Sequence, residues 1–187
     1  MTQVIEIKTE RLNLRQWKKE DYPAFARLNA DSEVMKYYPD ILSQLESNDM
    51  AERFEALLAH RGWGFWVAEK PDEKKFMGFV GLNEPTYKLP VTPCVEIGWK
   101  LVKEYWGYGY ATEAAKACLK VAFEKVELSE VYSFTSTLNK KSQAVMERLG
   151  MMNMKQNFDH PMMPIDSPLL EHVLYKIDSN TWVENNK

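Results

Sequence analysis

The chain has 187 residues, 45% hydrophobic and 27% charged, with a formal net charge of −3 and a sequence pI near 5.7. This is enough chain for one domain with a proper core and too little for two. The acidic balance excludes a nucleic-acid or anionic-membrane surface built on surplus Lys and Arg.

Cys94 and Cys118 are too few and too far apart for a disulfide framework or a zinc site, so no metal is expected. The opening residues, MTQVIEIKTERLNLRQW, carry charges within a few positions and lack an apolar signal core. No run approaches the ~20 apolar residues of a membrane span. The expectation is a cytoplasmic protein, monomeric or homodimeric, with no nucleic-acid or membrane partner.

In chain order, RLNLRQW alternates and predicts a strand. In KKEDYPAFARLNAD, an early proline and the spacing of Phe25 and Leu28 predict a short helix, and DSEVMKYYP a further turn ended by Pro39. Met50, Phe54, Leu57 and Leu58 recur at helical spacing, with Gly62 as a stop. WGFWVAEK and KFMGFVGLNE predict strands joined at PDEK. From Cys94 to Val102 the chain alternates, with Val95, Ile97, Trp99 and Leu101 on one face and Glu96, Gly98 and Lys100 on the other. Three strands on short connections are expected to be antiparallel.

Ala111, Ala114, Ala115, Cys118, Leu119, Ala122, Phe123 and Val126 form one apolar helical stripe. VYSFTST predicts a strand. NKKSQAVMERLG predicts a helix capped by Asn139, with a stripe of Ser142, Val145, Met146 and Leu149 and a stop at Gly150. MMNMKQNF and LEHVLYKI complete the sheet around the loop DHPMMPIDSP. The fold class is α/β (α+β): one domain with a mixed, mostly antiparallel sheet flanked by helices.

The stretch EYWGYGYATEAA places Gly107 and Gly109 directly before a helix. The first turn of a helix has unpartnered N–H groups at the positive end of the dipole, and glycine lets backbone approach a ligand. Two readings stand: a tight turn, or a cradle for a phosphate group. A dinucleotide fingerprint fits poorly because Thr112 occupies its third glycine position, and a P-loop is excluded by the lack of Gly-Lys-Ser/Thr.

EIGWKLVKEYWGYGYATEA resembles the acyl-CoA-binding motif of GNAT N-acetyltransferases, especially the RimJ/RimL-like branch, with its Gln/Arg-x-x-Gly-x-Gly/Ala pattern. The pattern falls on Trp106, Gly107, Tyr108, Gly109, Tyr110 and Ala111; tryptophan replaces the usual polar first residue. TSTLNKKSQAVMERLGM, TERLNLRQWKKEDYPAF and FDHPMMPIDSPLLEHVLYKI resemble the family's later, opening and closing segments. The resemblance covers roughly residues 8–178, leaving 179–187 as a short C-terminal tail.

The resemblance implies acetyl-CoA as cosubstrate, lying where two parallel strands, Cys94–Val102 and Val131–Thr137, splay apart. Its pantetheine would pair with the edge of Trp99, Lys100, Leu101 and Val102, and its pyrophosphate would meet the N–H groups from Gly107 to Thr112. The implied reaction is direct acetylation of a primary amine, such as a protein N-terminus, without an acyl-enzyme; a non-catalytic CoA-binding module is the alternative. Glu96 is the candidate base, set against an ordinary exposed strand glutamate. A backbone N–H near Leu101 would hold the oxyanion. Asn139, a helix cap, would also contact the pantetheine arm. Ser142, one turn on, would contact the CoA arm and protonate the leaving thiolate, because the family's usual tyrosine position is Met146. His60, His160 and His172 read as structural, with His160 near a loop that would wall the acceptor. Trp63, Phe65, Trp66, Phe76 and Phe79 read mostly as core, with some expected to line the acceptor pocket.

Overall fold

The computed structural model describes residues 2–186; Met1 and Lys187, at the two ends of the expected opening and tail, lie outside the described residues. Nine strands form one sheet: β1 Ile7–Lys8, β2 Asn13–Arg15, β3 Phe65–Lys70, β4 Lys75–Asn83, β5 Glu96–Leu101, β6 Glu130–Ser136, β7 Met152–Asn153, β8 Phe158–Asp159 and β9 Glu171–Asp178. The order is β1-β2-β3-β4-β5-β6-β9-β7, with β8 also on β9. Every pairing is antiparallel except β5 with β6, which run parallel. The expected strand boundaries hold to within two residues, while MMNMKQNF shortens to the pair Met152–Asn153 with β8 starting at its last residue.

Helix α1 is Tyr22–Ala30, with Pro23 in its first turn, where a missing N–H costs nothing. Helix α2, Gln44–Arg61, starts on a Ser43–Glu46 capping box and stops at Gly62 in the left-handed conformation. Met35–Tyr37 forms a short 3-10 turn between them. Phe25 of α1 and Phe54 of α2 interlock with Trp17, Phe65 and Phe79 in edge-to-face and tilted pairs, ring centroids 4.8–6.3 Å apart. This aromatic layer seats α1 and α2 on β3 and β4.

Helix α3, Tyr110–Glu124, crosses from β5 to β6 and lies on β4 and β5. Its buried stripe of Ala114, Ala115, Cys118 and Ala122 is small, so its backbone sits close to the sheet. Helix α4, Lys140–Arg148, buries Met146 and, outside the expected stripe, Gln143, whose amide donates to the Ser136 and Thr137 carbonyls.

The C-terminal segment is not a simple tail. Residues Ser179–Asn185 form helix α5, capped by Asp178 Oδ1 on the Thr181 N–H at 2.8 Å. Its Trp182 is buried, 5.7 Å from the ring of Phe123 in α3. A tail has no reason to carry an anchor of that size. Trp182→Ala should lower stability by about 3–5 kcal/mol, as large-to-small core changes do. Urea denaturation checks this, and an unchanged midpoint would show α5 to be dispensable.

Candidate active site

β5 and β6 share a single paired position, Glu96 with Tyr132. There the Tyr132 N–H donates to the Val95 carbonyl at 3.0 Å, and the Ser133 hydroxyl donates to the Ile97 carbonyl at 2.9 Å. Beyond this point the strands separate. Val102 N–H is bonded to Met77 of β4, and the alternation of an antiparallel ladder gives Lys100 the same direction. The edge facing the gap therefore belongs to Trp99 and Leu101. The expectation of a four-residue edge is corrected: Lys100 and Val102 turn their backbone groups toward β4.

The gap opens into a cavity of about 1260 Å³. It is lined by Trp99, Leu101, the turn Tyr105–Thr112, and Asn139, Ser142 and Arg148 around α4. Gly107 and Gly109 both hold positive φ, 84° and 81°, which L side chains adopt only under strain. Gly109 caps α3. A Cβ on Gly107 would meet no atom within 4 Å, so open space lies against the backbone just ahead of the helix start. Lys140 and Lys141 stand on the same wall. Unpartnered amides, open approach and lysines suit a phosphate group.

Trp106, the departure from the expected polar residue, has a structural task. Its indole N–H donates to the Leu101 carbonyl at 2.8 Å, and Lys141 Nζ lies 4.9 Å from its ring centroid. The turn is also clasped from the chain's start. The Arg11 guanidinium pairs with Glu113 at 2.6 Å, donates to the Tyr108 carbonyl at 2.9 Å and lies over the Tyr110 ring at 4.6 Å. Thr9 Oγ1 donates to the same Glu113 carboxylate at 2.6 Å. No sequence signal assigned these residues to the turn, because a hundred residues separate the partners.

Glu96 is half-buried and accepts from Asn83 Nδ2 at 2.8 Å. Burial pushes its carboxyl up to about 7, with the Asn83 bond working the other way. The face it shares with Lys100 is not solvated: Lys100 pairs with Phe79, under the α1–α2 layer, and is 6% exposed. Burial pulls the Lys100 ammonium down to about 7.

Asn139 and Ser142 meet as the spacing predicts. Asn139 Oδ1 caps the Ser142 N–H, and its Nδ2 donates to Thr135 Oγ1 at 3.0 Å and to Ser142 Oγ at 3.1 Å. Both Asn139 donors are thus taken within the strand–helix junction, leaving only the second lone pair of Oδ1 for a ligand. The Ser142 oxygen is an acceptor here, so its own hydrogen is free to point into the cavity. Met146 is 1% exposed and belongs to the core.

The histidines are structural in placement. His60 is in the last turn of α2. His160 and His172 are buried and stacked, centroids 4.6 Å apart, beside Phe134 and Phe158. His160 Nδ1 accepts the Met162 N–H at 3.2 Å, and burial, with His172 adding to it, lowers His160 to about 4. Neither lines the cavity.

The model of the Acetyltransferase (GNAT) domain matches residues 11–152. The chain belongs to the GNAT acetyltransferase family. Relatives carry the same activity in name. The uncharacterized N-acetyltransferase YnaD of Bacillus subtilis is 27% identical over 187 residues, spanning 95% of this chain and 99% of its own. A solved GNAT-family acetyltransferase from Bacillus anthracis superposes with a TM-score of 0.77 at 25% identity, covering 94% of this chain and 99% of that one. The ribosomal-protein-S5-alanine acetyltransferase of Vibrio fischeri shares the fold, with a TM-score of 0.75 at 18% identity over 95% and 98% of the two chains. The protein is an acyl-CoA-dependent N-acetyltransferase, and the GNAT family takes its acetyl group from acetyl-CoA. Among the described residues no group of His, Cys, Asp and Glu is placed to hold a metal, and no helix is long and apolar enough to cross a membrane.

Gly109→Val keeps the chain length but forbids the left-handed cap at the helix start. Acetyl-CoA affinity should fall at least about tenfold, roughly 1.4 kcal/mol. Calorimetric titration of the folded variant measures it, and parental affinity would remove the turn from the cofactor site.

Proposed function

We propose that this enzyme acetylates a protein N-terminal α-amine by direct attack of the amine on acetyl-CoA, with Glu96 as base and Ser142 as proton donor. The observation that carries the reading is Glu96, a carboxylate raised by burial to about 7, on β5, the strand that lines the cavity three residues further on with Trp99, Lys100 and Leu101. Acetyl-CoA supplies the activated acyl carbon and a thiol leaving group. The residues of the glycine turn, 107–112, and the edge of Trp99 and Leu101 hold it. The catalytic unit is residues 8–178, with α5 packed against it.

The attacking amine must lose a proton, and a base titrating near neutrality both accepts it and releases it within the working pH range. Glu96 Oε1 is held by Asn83, so the second oxygen is free to take the proton, directly or through a water. Ser142 has its oxygen anchored by Asn139 and its hydrogen free, the arrangement a proton donor needs. The Leu101 N–H, on the edge facing the gap, is the backbone donor for the developing negative charge. A protein N-terminus as acceptor is supported by the resemblance of the chain's motifs to the RimJ/RimL-like branch. Thiol release with an alanine-initiated ribosomal-protein peptide, against polyamines and aminoglycosides, tests the acceptor. Faster turnover of a small amine would overturn it.

Glu96→Gln keeps the shape and removes the basicity. It should lower kcat by roughly 10²-fold or more with acetyl-CoA affinity unchanged. In the parent, activity should rise with pH through about 7 as the carboxyl ionises. An identical pH–rate profile in the variant would return Glu96 to a structural role.

Ser142→Ala separates proton donation from cofactor contact. A donor acts only in the transition state, so kcat should fall moderately while acetyl-CoA binding holds. Steady-state kinetics decide the matter: a raised acetyl-CoA KM at constant kcat makes the serine a binding group.

A further inference from the structure

The floor of the cavity holds a cation that the transfer chemistry above does not use. Lys100 lines the cavity and is almost fully buried, yet its ammonium has no carboxylate partner. Its three hydrogens meet neutral groups instead. Nζ donates to Asn29 Oδ1 at 3.0 Å and to Met35 Sδ at 3.3 Å, and lies 3.9 Å from the centroid of the Tyr38 ring. Asn29 is completely buried, and its own Nδ2 donates to the buried Ser47 Oγ at 2.9 Å, which fixes its oxygen toward the lysine. Four segments thus converge on one Nζ: α1, the turn after it, the loop into α2, and α2 itself through Ser47. Burying an ammonium without a counter-ion is among the most costly placements a chain can make.

Tyr38 shows what the cage holds. Its ring lies on the ammonium, and it lines the same cavity as Trp99 and Ser142. Local desolvation, and then the charge of Glu96, raises its phenol above the ordinary range, although the residue as a whole is 37% exposed. Glu96, Gly98 and Lys100 share one face of β5. Gly98 carries no side chain, and the Phe65 ring packs over it, 3.4 Å from where a Cβ would stand.

We propose that Lys100 is a positioning residue for the acceptor amine: its caged ammonium fixes the Tyr38 ring as the wall between the cofactor end of the cavity and Glu96. The proposal rests on the reading of Glu96 as the base. The hold on Tyr38 depends on charge, so it loosens as Lys100 loses its proton near neutrality. The groups facing Nζ are Asn29, Met35, Tyr38 and, from β4, Phe79 at 5.8 Å. None carries a charge, and Tyr38, the one titratable member, stays neutral through this range. Glu96 is the other titrating group on the face.

The test compares wild type with K100M, K100R, Y38L and the K100M/Y38L double variant, using an alanine-initiated peptide and spermidine as amines from pH 6 to 9. At pH 6.5, K100M should raise the amine KM about tenfold with acetyl-CoA affinity unchanged, and Y38L should match it. The double variant should be no worse than either single one. K100R, which keeps the charge, should retain a low KM and hold it to pH 9, while the wild-type KM climbs toward that of K100M. An unchanged KM in K100M, or additive effects in the double variant, would overturn the proposal. If neither amine is turned over by wild type, the acceptor reading fails by itself, and lysine ¹³Cε NMR decides the present proposal. Y38L should then move the Lys100 titration midpoint down and Y38F leave it in place; a midpoint unmoved or raised by Y38L would refute the contact.

Discussion

Two parallel strands that touch at one position organise this molecule. β5 and β6 are joined at Glu96 and Tyr132 and then part. A sheet normally cannot leave such an edge open inside a domain, because unpaired backbone groups there are costly. Here the Ser133 hydroxyl takes the Ile97 carbonyl and the Trp106 indole takes that of Leu101. The groups left over, on Trp99 and Leu101, form a short ladder for an extended ligand arm. Helix α3 must leave β5 and reach β6 across this gap, which places its N-terminus and the glycine turn at the mouth. In the proposed arrangement, chain connectivity by itself sets the two ends of the cofactor site, the glycine turn at one and the edge of β5 at the other.

The side chains act by being dry. Glu96 and Lys100 are pushed from opposite ends of the pH scale toward the same value, each chiefly by burial. Neither has an ion-pair partner to hold its charge, because the layer above them is aromatic and amide rather than ionic. The contrast with Arg15 is instructive. Less deeply enclosed, it sits between Asp21 at 2.8 Å and Glu69 at 2.7 Å, and its pairing raises its affinity for the proton against burial. The fold neutralises the charge it uses as a strut and leaves Glu96 and Lys100, on one face of β5, without an ionic partner; of the two, Lys100 lines the cavity.

Much of this was legible in the sequence. The stripe of α3, the cap and turn at Asn139 and Ser142, the alternation of β5 and the glycine turn are local patterns with local physical causes, and each appears where its periodicity or turn chemistry predicts. The burial of Glu96 and Lys100 was not legible. A strand reading Glu-x-Gly-x-Lys on alternate positions looks like a solvated face, and only the docking of α1 and α2 covers it. Lys100 was expected to serve through its backbone, yet the ladder turns those groups to β4 and brings its side chain to the cavity. Helix α5 was missed because seven residues around a single tryptophan carry too little periodicity. The His160–His172 stack joins a loop to a strand, and neither residue announces the other.

The clasp of Arg11 and Thr9 on Glu113 has a consequence for the whole chain. The first ordered strands are short, and the helix that presents the cofactor cradle begins about a hundred residues later. Closing that contact requires one of the longest loops in the molecule, so it forms late in folding, when the sheet is already in place. Ahead of it the chain is pinned a second time, where the Ile5 N–H donates to the Gly62 carbonyl at 2.8 Å and the Ile5 carbonyl accepts the Trp66 indole N–H at 2.7 Å. The opening segment thus braces two places far apart in sequence, the end of α2 and the start of α3.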